Sequence, residues 1–404
     1  MASHAHAHQP PAHQPVGGRL LTLPFLVCSV LVVIAAFILA QRYGHGLGAV
    51  TNLSDGYPWG IWVAIDVVIG SAFGCAGYVM AMLCYILNKG EYHPMVRPAV
   101  MASLFGYGLA GAAVMIDLGR YWHFYHLMMP WYAQPNSVML EVGLCVATYT
   151  LVLVVEFAPA FLERFGIEGL RRKLNRVLWV FIALGVLLPT MHQSSLGTMM
   201  VIVGHKLSPL WQTQLLPVFF LLTAVLMGFA IVVWESVMAS LNFRRPMETP
   251  VLRKLARLML AVASVFVALR VVDLLVRGQF GQAFGGPQAG WFWVETVLMV
   301  GGLVLLIPKA NRGRSRALFL SSSMLLAAGI LYRLNVYLIG FTPSVGPWHY
   351  FPSVKEIMVT VGVFALEIAL YLVFVKKLPV LHAIEDHSAN SGATTSHAVQ
   401  AKHG

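Results

Sequence analysis

The segment LLTLPFLVCSVLVVIAAFILA (residues 20–40) carries no charged side chain from end to end. An α-helix rises about 1.5 Å per residue, so this segment is long enough to cross a hydrocarbon core of about 30 Å. It therefore predicts a membrane-spanning helix. Nine further apolar stretches follow it, at approximately 58–88, 97–118, 136–162, 173–190, 210–240, 253–277, 290–308, 316–340 and 353–377.

The composition agrees with a chain that lies mostly in lipid. Of its 404 residues, 58% are hydrophobic and only 11% are charged, and the mean hydropathy is +0.74. A soluble domain carries about 25% charged residues. The predicted fold class is therefore an all-α integral membrane protein with about ten transmembrane helices.

Lysine and arginine alternate between the connecting loops. Every second loop is rich in them, with two at Lys89 and Arg97, five in 164–176, five in 244–257 and four in 309–316. The other loops hold only Arg42, Arg120, Lys206 and Arg277. Because basic loops remain on the cytoplasmic side, both termini are predicted to be cytoplasmic. These loops and anionic lipid headgroups account for the net charge of +11, so no nucleic-acid partner is expected.

The two ends of the chain differ from the rest. Residues 1–18 (MASHAHAHQPPAHQPVGG) and 381–404 are rich in His, Ala and Ser and show no apolar period. Such segments predict disordered cytoplasmic tails on either side of a transmembrane domain at 19–380.

Cysteine and histidine placement bears on the cofactors. The four cysteines lie inside predicted spans and form no CxxC pair, so we expect packed thiols, no metal site and no iron–sulfur cluster. A buried b-type haem usually needs facing histidines from helix interiors, whereas the histidines outside the tails all fall in predicted loops or at span ends. The expectation from the sequence is that this chain binds no haem.

Ionisable side chains inside predicted spans are costly in hydrocarbon and by default mark functional sites. The outer half of the membrane is predicted to hold Asp66, Asp117, Arg120, Glu141, His192, Arg270, Asp273, Glu295 and Arg333. For each aspartate and arginine in this set, a structural ion pair is as good an explanation as a functional role. Four more polar groups, on the inner side or deep in the membrane, suit a proton path: Tyr107, Glu156, Glu235 and Glu367.

The polar stretch TMHQSSLGT (190–198) directly follows the predicted fifth span, which favours a partly buried loop lining a cavity. Its imidazole, amide and hydroxyl groups suit the two carbonyl oxygens of a quinone. The outer loops NLSDGYPWG (52–60), HFYHLMMPWYAQP (123–135) and SVGPWHYFP (344–352) are apolar and aromatic. They are typical of interfacial anchors, and together they also suit docking of an extrinsic subunit.

Six segments resemble the integral membrane subunits of hydrogenase-2-type nickel–iron hydrogenases, within the NrfD/PsrC family of quinone-interacting membrane proteins. The resemblance runs in the same order from Pro24 to Pro379. Its segments are PWGIWVAID (58–66), EYHPMVRPAVMASLFGYGLAG (91–111), DLGRYW (117–122), EFAPAFLERFG (156–166), LPTMHQSSLGTMM (188–200) and PLWQTQLLP (209–217).

The resemblance implies a membrane anchor for a periplasmic uptake hydrogenase in the bacterial inner membrane. Its implied partners on the periplasmic face are a ferredoxin-like iron–sulfur subunit and the small and large hydrogenase subunits. The implied reaction passes electrons from hydrogen to menaquinone or ubiquinone. It also implies two four-helix bundles, formed by spans 2 to 5 and 6 to 9, plus flanking helices.

The site residues combine this resemblance with the depth argument. Family positions proposed for the quinone pocket and proton route match Tyr107, Glu141, His192 and Glu235. The full quinone-binding prediction is Tyr107, Asp117, Arg120, His192, Gln193 and Ser194, and the proton-transfer prediction is Glu141, Tyr107, Glu235, Glu156 and Glu367. Asp66, Arg270, Asp273 and Arg333 are predicted to form ion pairs.

Two other functions remain open from the sequence. The nearer is a quinone-reactive subunit of a molybdenum oxidoreductase that handles sulfur or nitrogen compounds. The more distant is a proton-coupled secondary transporter, which would show half-helices broken by Gly or Pro in two repeats. The stretch from Pro189 to Gly197 is the one candidate for such a break.

Overall fold

The computed structural model describes residues 13–54, 56–242, 249–343 and 350–382. Most of the predicted tails (1–18 and 381–404) lies outside these ranges, as do Asp55 of the first aromatic loop, residues 243–248 of a basic loop and residues 344–349 of the third aromatic loop. Within them, ten helices are long and apolar enough to cross a membrane, which confirms the predicted number. They are span 1 (Leu23–His45), span 2 (Trp62–Ile86), span 3 (Gly90–Asp117), span 4 (Val138–Arg164), span 5 (Glu168–Ile202), span 6 (Leu216–Asn242), span 7 (Thr249–Val276), span 8 (Ala289–Leu306), span 9 (Ser315–Ile339) and span 10 (Val354–Lys377).

The spans form two four-helix bundles. Spans 2 to 5 each pack against the next, and span 5 closes the ring against span 2. Spans 6 to 9 form a second ring in the same way, closed by the contact between spans 9 and 6. The two bundles meet through spans 2, 5, 6 and 9, while spans 1 and 10 pair with each other and flank spans 2 and 3. This confirms the predicted architecture.

Span 2 lies at the centre of the molecule, and two glycines permit its close packing. A Cβ atom at Gly74 would lie 2.6 Å from the ring of Tyr107, and one at Gly228 would lie 2.7 Å from the carbonyl oxygen of Cys75. Small residues allow such approach between helices in membranes. Span 2 also contains π-helical turns at Trp62–Val67 and Met82–Ile86. Such turns are frequent at functional sites, because they alter which side chains face inward.

The loops gather at two ends of the molecule. The aromatic end comprises residues 46–54, 56–61, 118–137, 203–215, 277–288, 340–343 and 350–353, and it includes short helices at Tyr121–Met128 and Gln282–Gly285. The basic end comprises residues 87–89, 165–167 and 307–314 together with residues 13–22 and 378–382.

Contacts between distant segments hold each end together. At the aromatic end, the backbone N–H of Ser208 donates to the carbonyl of Gly340. At the basic end, Arg97 pairs with Glu163 at 2.7 Å. There too, strand β1 (His13–Gln14) pairs antiparallel with strand β2 (Leu381–His382). These strands fall inside the predicted tails, and the exact tail boundaries remain a prediction.

Span 5 differs from its predicted form. The prediction placed a helix at 173–190 and a partly buried loop at 190–198, but the structure has one helix, Glu168–Ile202, with Pro189 inside it. The loop prediction is wrong because polar side chains here do not need an open backbone. Ser194 donates to the carbonyl of Thr190 and Thr198 to that of Ser194, so hydroxyls are satisfied on the helix itself. A proline within a membrane helix is tolerated when neighbouring groups satisfy the backbone.

Candidate functional site

A buried polar network occupies the core of the first bundle. The hydroxyl of Tyr107 on span 3 lies 2.8 Å from Nε2 of His192 on span 5. His192 Nδ1 lies 2.9 Å from the carbonyl oxygen of Leu188, one turn earlier on the same helix. A carbonyl oxygen can only accept, so this contact assigns the proton of a neutral His192 ring to Nδ1. Nε2 is then the acceptor that faces Tyr107.

Gln193 extends the network toward span 2. Its side-chain amide nitrogen donates to Ser71 Oγ at 3.0 Å and lies 3.0 Å from His192 Nε2. Its oxygen accepts from Arg333 on span 9 at 2.8 Å. Because Arg333 has only donors, it fixes which end of the amide points at His192. The network therefore joins the two bundles.

Two more side chains enclose Tyr107. Cys75 Sγ lies 3.6 Å from the Tyr107 hydroxyl, and the ring of Tyr149 meets that of Tyr107 edge to face, with 4.6 Å between centroids. All four cysteines are buried and free, as expected for packed thiols. The hydroxyl of Tyr107 thus has both the His192 imidazole and the Cys75 thiol within reach.

Glu141 reaches this network from the aromatic half of span 4. Ser195 Oγ donates to Glu141 Oε1 at 2.8 Å. Ser195 stands three residues after His192, which places both on neighbouring turns of one helix. Ser195, which belongs to the predicted polar stretch but was not predicted as a site residue, therefore places Glu141 about one helical turn from His192.

Glu156 approaches from the basic half of the same span. Its carboxyl packs on span 5, where a Cβ atom at Gly185 would lie 2.5 Å from Oε1. This oxygen is buried and has no hydrogen-bond partner in the described part of the chain. Glu156 interacts electrostatically with Tyr149, which in turn touches Tyr107. Glu156, Tyr149 and Tyr107 thus form a line from the basic half of the bundle to His192.

Glu235 and Glu367 belong to a separate group of carboxyls. They interact electrostatically with each other, and Glu367 also interacts with Asp66. Asp66 Oδ2 accepts from Thr360 on span 10 at 3.4 Å. This second line joins spans 2, 6 and 10 and does not pass through His192.

Three predicted quinone contacts lie away from the network. Asp117 ends span 3 near Arg42 and Glu356, with which it interacts electrostatically. Arg120 is exposed on the loop at the aromatic end. Ser194 donates to its own helix. The prediction placed these residues by depth, and depth does not determine which way a side chain points around its helix.

The predicted ion pairs also have other partners. Asp273 pairs with Arg277 at 2.6 Å and accepts from Thr213 at 2.6 Å. Arg333 binds Gln193 and backbone carbonyls, and Asp66 binds Thr360. Among the described residues, Asp273, Arg333 and Asp66 therefore bond to these partners and not to one another as predicted.

Sequence reasoning missed Ser71 and Gly74, and it did not predict the contact of Ser195 with Glu141. Ser71 and Gly74 belong to the run SAFGCAG (71–77), whose small residues were a usable signal for a closely packed helix crossing. Ser195 was inside the polar stretch on span 5, but its contact with Glu141 depends on how spans 4 and 5 are rotated.

Comparison with known proteins adds the family. The family model described as "Polysulphide reductase, NrfD" matches residues 49–342. The "Probable Ni/Fe-hydrogenase 2 b-type cytochrome subunit" of Escherichia coli K12 is 40% identical over 388 residues, which cover 95% of this chain and 98% of that protein. The "Menaquinone reductase, integral membrane subunit" of Nitratidesulfovibrio vulgaris is 27% identical over 330 residues, 71% of this chain and 73% of that protein. A selenate reductase subunit of Mesobacillus selenatarsenatis is 22% identical over 432 aligned positions, 93% of this chain and 98% of that protein.

The description of the E. coli relative as a b-type cytochrome subunit contradicts the expectation of no haem. That expectation also rested on a wrong premise, since His192 lies inside span 5 and not in a loop. Both ring nitrogens of His192 are already in hydrogen-bond contact, and His123 and His126 lie side by side with ring nitrogens 3.3 Å apart. Neither arrangement places two imidazoles on opposite faces of a porphyrin, so these residues do not fit as an axial pair.

Proposed function

Because the chain belongs to the NrfD family, we propose that it is the membrane anchor and quinone-reactive subunit of a periplasmic uptake nickel–iron hydrogenase. By homology it is a subunit of a hydrogenase-type oxidoreductase complex in a membrane. The observation that carries the proposal is the 40% identity to the E. coli hydrogenase 2 subunit over 95% of this chain. The relative named menaquinone reductase supports a quinone as the electron acceptor.

The hydrogenase partner is better supported than the alternatives. The selenate reductase relative, which favours a different oxidoreductase, shares only 22% identity with this chain. The transporter alternative needed a broken helix at Pro189–Gly197, and span 5 is continuous there. The proposed partners are the small and large hydrogenase subunits and a ferredoxin-like iron–sulfur subunit docked at the aromatic end, which we place on the periplasmic side.

The reaction reduces a quinone by two electrons and two protons to the quinol. The electrons come from hydrogen through the iron–sulfur partner. The chain's own task is to bind the quinone headgroup and to deliver one proton to each carbonyl oxygen. The Tyr107 hydroxyl gives up one proton at a time, and His192 Nε2, oriented by Gln193, accepts each replacement proton and returns it to the Tyr107 oxygen. Fixed donors of this kind cost little reorganisation when charge develops on the quinone oxygens.

Two routes can resupply those protons. Glu141 gives access from the aromatic end through Ser195. Glu156 gives access from the basic end through Tyr149 to Tyr107. The side of uptake sets the energetics, because each charge moved across the membrane against 100 mV costs about 2.3 kcal/mol. Uptake from the basic end would conserve energy as membrane potential, whereas uptake from the aromatic end would be neutral.

The test is hydrogen-dependent quinone reduction in membranes with and without this chain. Hydrogen-to-dye activity of the hydrogenase subunits is the control, because it does not need the quinone site. We expect quinone reduction to be lost without the chain while dye activity persists. Unchanged quinone reduction in its absence would contradict the proposal and redirect the search to another oxidoreductase partner.

A further inference from the structure

The second bundle contains a buried arginine whose N–H groups are not satisfied. Arg270 on span 7 is 5% exposed, and none of its three guanidinium nitrogens has a hydrogen-bond partner among the residues described. The guanidinium lies 5.7, 5.8 and 5.5 Å from the ring centroids of Phe219, Phe292 and Tyr332. Aromatic rings stabilise a cation, but they do not accept its N–H bonds as oxygens do. Buried donors of this kind call for an explanation.

Other polar groups without partners surround the same position. The hydroxyl of Tyr332 and Oδ1 of Asn335, both from span 9, are buried and lack hydrogen bonds within the described ranges. Glu295 on span 8 is 2% exposed and accepts from Trp211 at 3.0 Å and Asn335 at 2.7 Å, both on Oε2. Arg270 and Glu295 interact electrostatically without a direct hydrogen bond.

This combination suits bound water better than a closed ion pair. A buried water molecule typically makes about three hydrogen bonds to groups that would otherwise be unsatisfied. Arg270 offers donors, Asn335 offers an acceptor, and the Tyr332 hydroxyl offers either. A water molecule between Arg270 and Glu295 could use all of them.

A path leads from this position to the aromatic end. Asp273 follows Arg270 by three residues on span 7, is 7% exposed, and accepts from Thr213. Thr213 and Arg277 line a cavity of about 370 Å³. Its wall also includes the polar side chains of His205, Gln212 and Gln279. Polar groups thus continue from the surface to Arg270 along one face of span 7.

We propose that Glu295 and Arg270 form a hydrated proton-exchange centre in the second bundle, supplied with water from the cavity at the aromatic end. The ligand is water, and the Glu295 carboxyl takes up and releases the proton. Arg270 is a positioning residue that orients the water and offsets the carboxylate charge. Asp273 on span 7, Trp211, and Tyr332, Arg333 and Asn335 on span 9 are the other polar groups near the centre. The centre is separate from the Tyr107–His192 network and does not rest on the proposed function.

Infrared spectroscopy of the purified complex tests the centre without any quinone. The spectrum of the wild type minus that of Glu295→Gln isolates the carboxyl signal of Glu295. Glutamine retains an oxygen for Trp211 and Asn335, so the variant is expected to fold. We expect the Glu295 signal to change in D2O and to titrate with pH. A signal that responds to neither would show a sealed structural group and would overturn the proposal.

Filling the cavity tests the route. Gly204 lines the cavity, and a Cβ atom there would be 3.7 Å from Gln212, an ordinary contact. Gly204→Phe is expected to slow the D2O response of Glu295 at least tenfold. The matched control is Gly281→Phe, at the same end of the molecule, where a Cβ atom meets nothing within 4 Å. Equal exchange rates in the two variants would exclude this cavity as the entrance.

Discussion

Arg333 and Arg270 are both buried arginines beside aromatic rings, but their hydrogen bonding differs. Arg333 donates to the carbonyl oxygens of Val68 and Phe220 and to Gln193, at 2.7 to 2.9 Å. Arg270 donates to nothing in the described residues and lies among three rings. Burying an ion costs several kcal/mol, whereas a desolvated cation–π contact contributes about 2 kcal/mol. Arg333 is therefore stabilised by the protein itself, whereas Arg270 depends on an additional partner.

The backbone explains why Arg333 has acceptors. In the irregular middle of span 2, the N–H of Ala72 donates to the carbonyl of Ile69. The carbonyl of Val68 is thereby left for Arg333. In lipid an unsatisfied carbonyl is costly, so the irregular turn and the arginine support each other. The Arg270 nitrogens have no such acceptor in the part of the chain described. Arg333 therefore holds helices together, whereas the N–H groups of Arg270 are free to bind water among the residues described.

The largest effect is expected for Arg333→Met. This change leaves the Val68 carbonyl and the Gln193 oxygen buried and unpaired, and removes a link between spans 2, 5, 6 and 9. A buried acceptor that loses its donor costs about 1–3 kcal/mol, and this change leaves two such oxygens. Thermal and denaturant unfolding of the detergent-solubilised protein would measure it. A variant as stable as the wild type would remove the distinction between the two arginines.

The next effect concerns the network that Arg333 holds in place. His192→Ala removes the acceptor for Tyr107, so we expect hydrogen-dependent quinone reduction to fall about 100-fold, the lower range for general acid–base catalysis. Hydrogen-to-dye activity should stay bound to the washed membranes at the wild-type level, which shows that the hydrogenase subunits are still attached. Tyr107→Phe is the companion variant, since it leaves the His192 ring in place. Normal quinone reduction in both variants would remove this network from the mechanism.

The sequence predicted the overall architecture better than the contacts around the Tyr107–His192 network. Apolar segments and alternating basic loops were enough for ten spans, and the resemblance was enough for two bundles. Tyr107, His192 and Gln193 were predicted together and do lie together. The sequence indicates how deep a residue lies in the membrane, but not which way its side chain points around the helix axis. In span 2 that direction depends on the π-helical turns, so the neighbours of these residues could not be predicted.

Pro189 illustrates a second limit of the sequence. It suggested the end of a helix, since proline removes one backbone donor and disfavours a helical residue before it. Span 5 nevertheless continues to Ile202, with Gly197 packed directly on span 6. Packing against neighbouring helices determines whether a helix with an internal proline breaks. The local sequence around Pro189 does not show that packing.

A smaller effect on activity is expected for Glu141→Gln. Glutamine still accepts from Ser195 but cannot carry a proton, so the route from the aromatic end should slow. Glu141 is only half-buried, and water can partly replace it, so we expect about a tenfold decrease, equal to about 1.4 kcal/mol. The rate of hydrogen-dependent quinone reduction measures it. Glu156→Gln, on the route from the basic end, is the matched variant, and its comparison with Glu141→Gln shows which side supplies the protons.

The smallest effect on stability is expected for Arg270→Met, which completes the comparison with Arg333→Met. Methionine keeps apolar contact with Phe219, Phe292 and Tyr332 and removes a buried charge that has no hydrogen bonds to lose within the described chain. Glu295 can bind a proton when the arginine is absent, so no uncompensated charge remains, and we expect a change within about 1 kcal/mol. Unfolding measured side by side for the two variants gives the contrast directly. A loss at Arg270 as large as at Arg333 would mean that Arg270 also holds helices together, and that its role is structural.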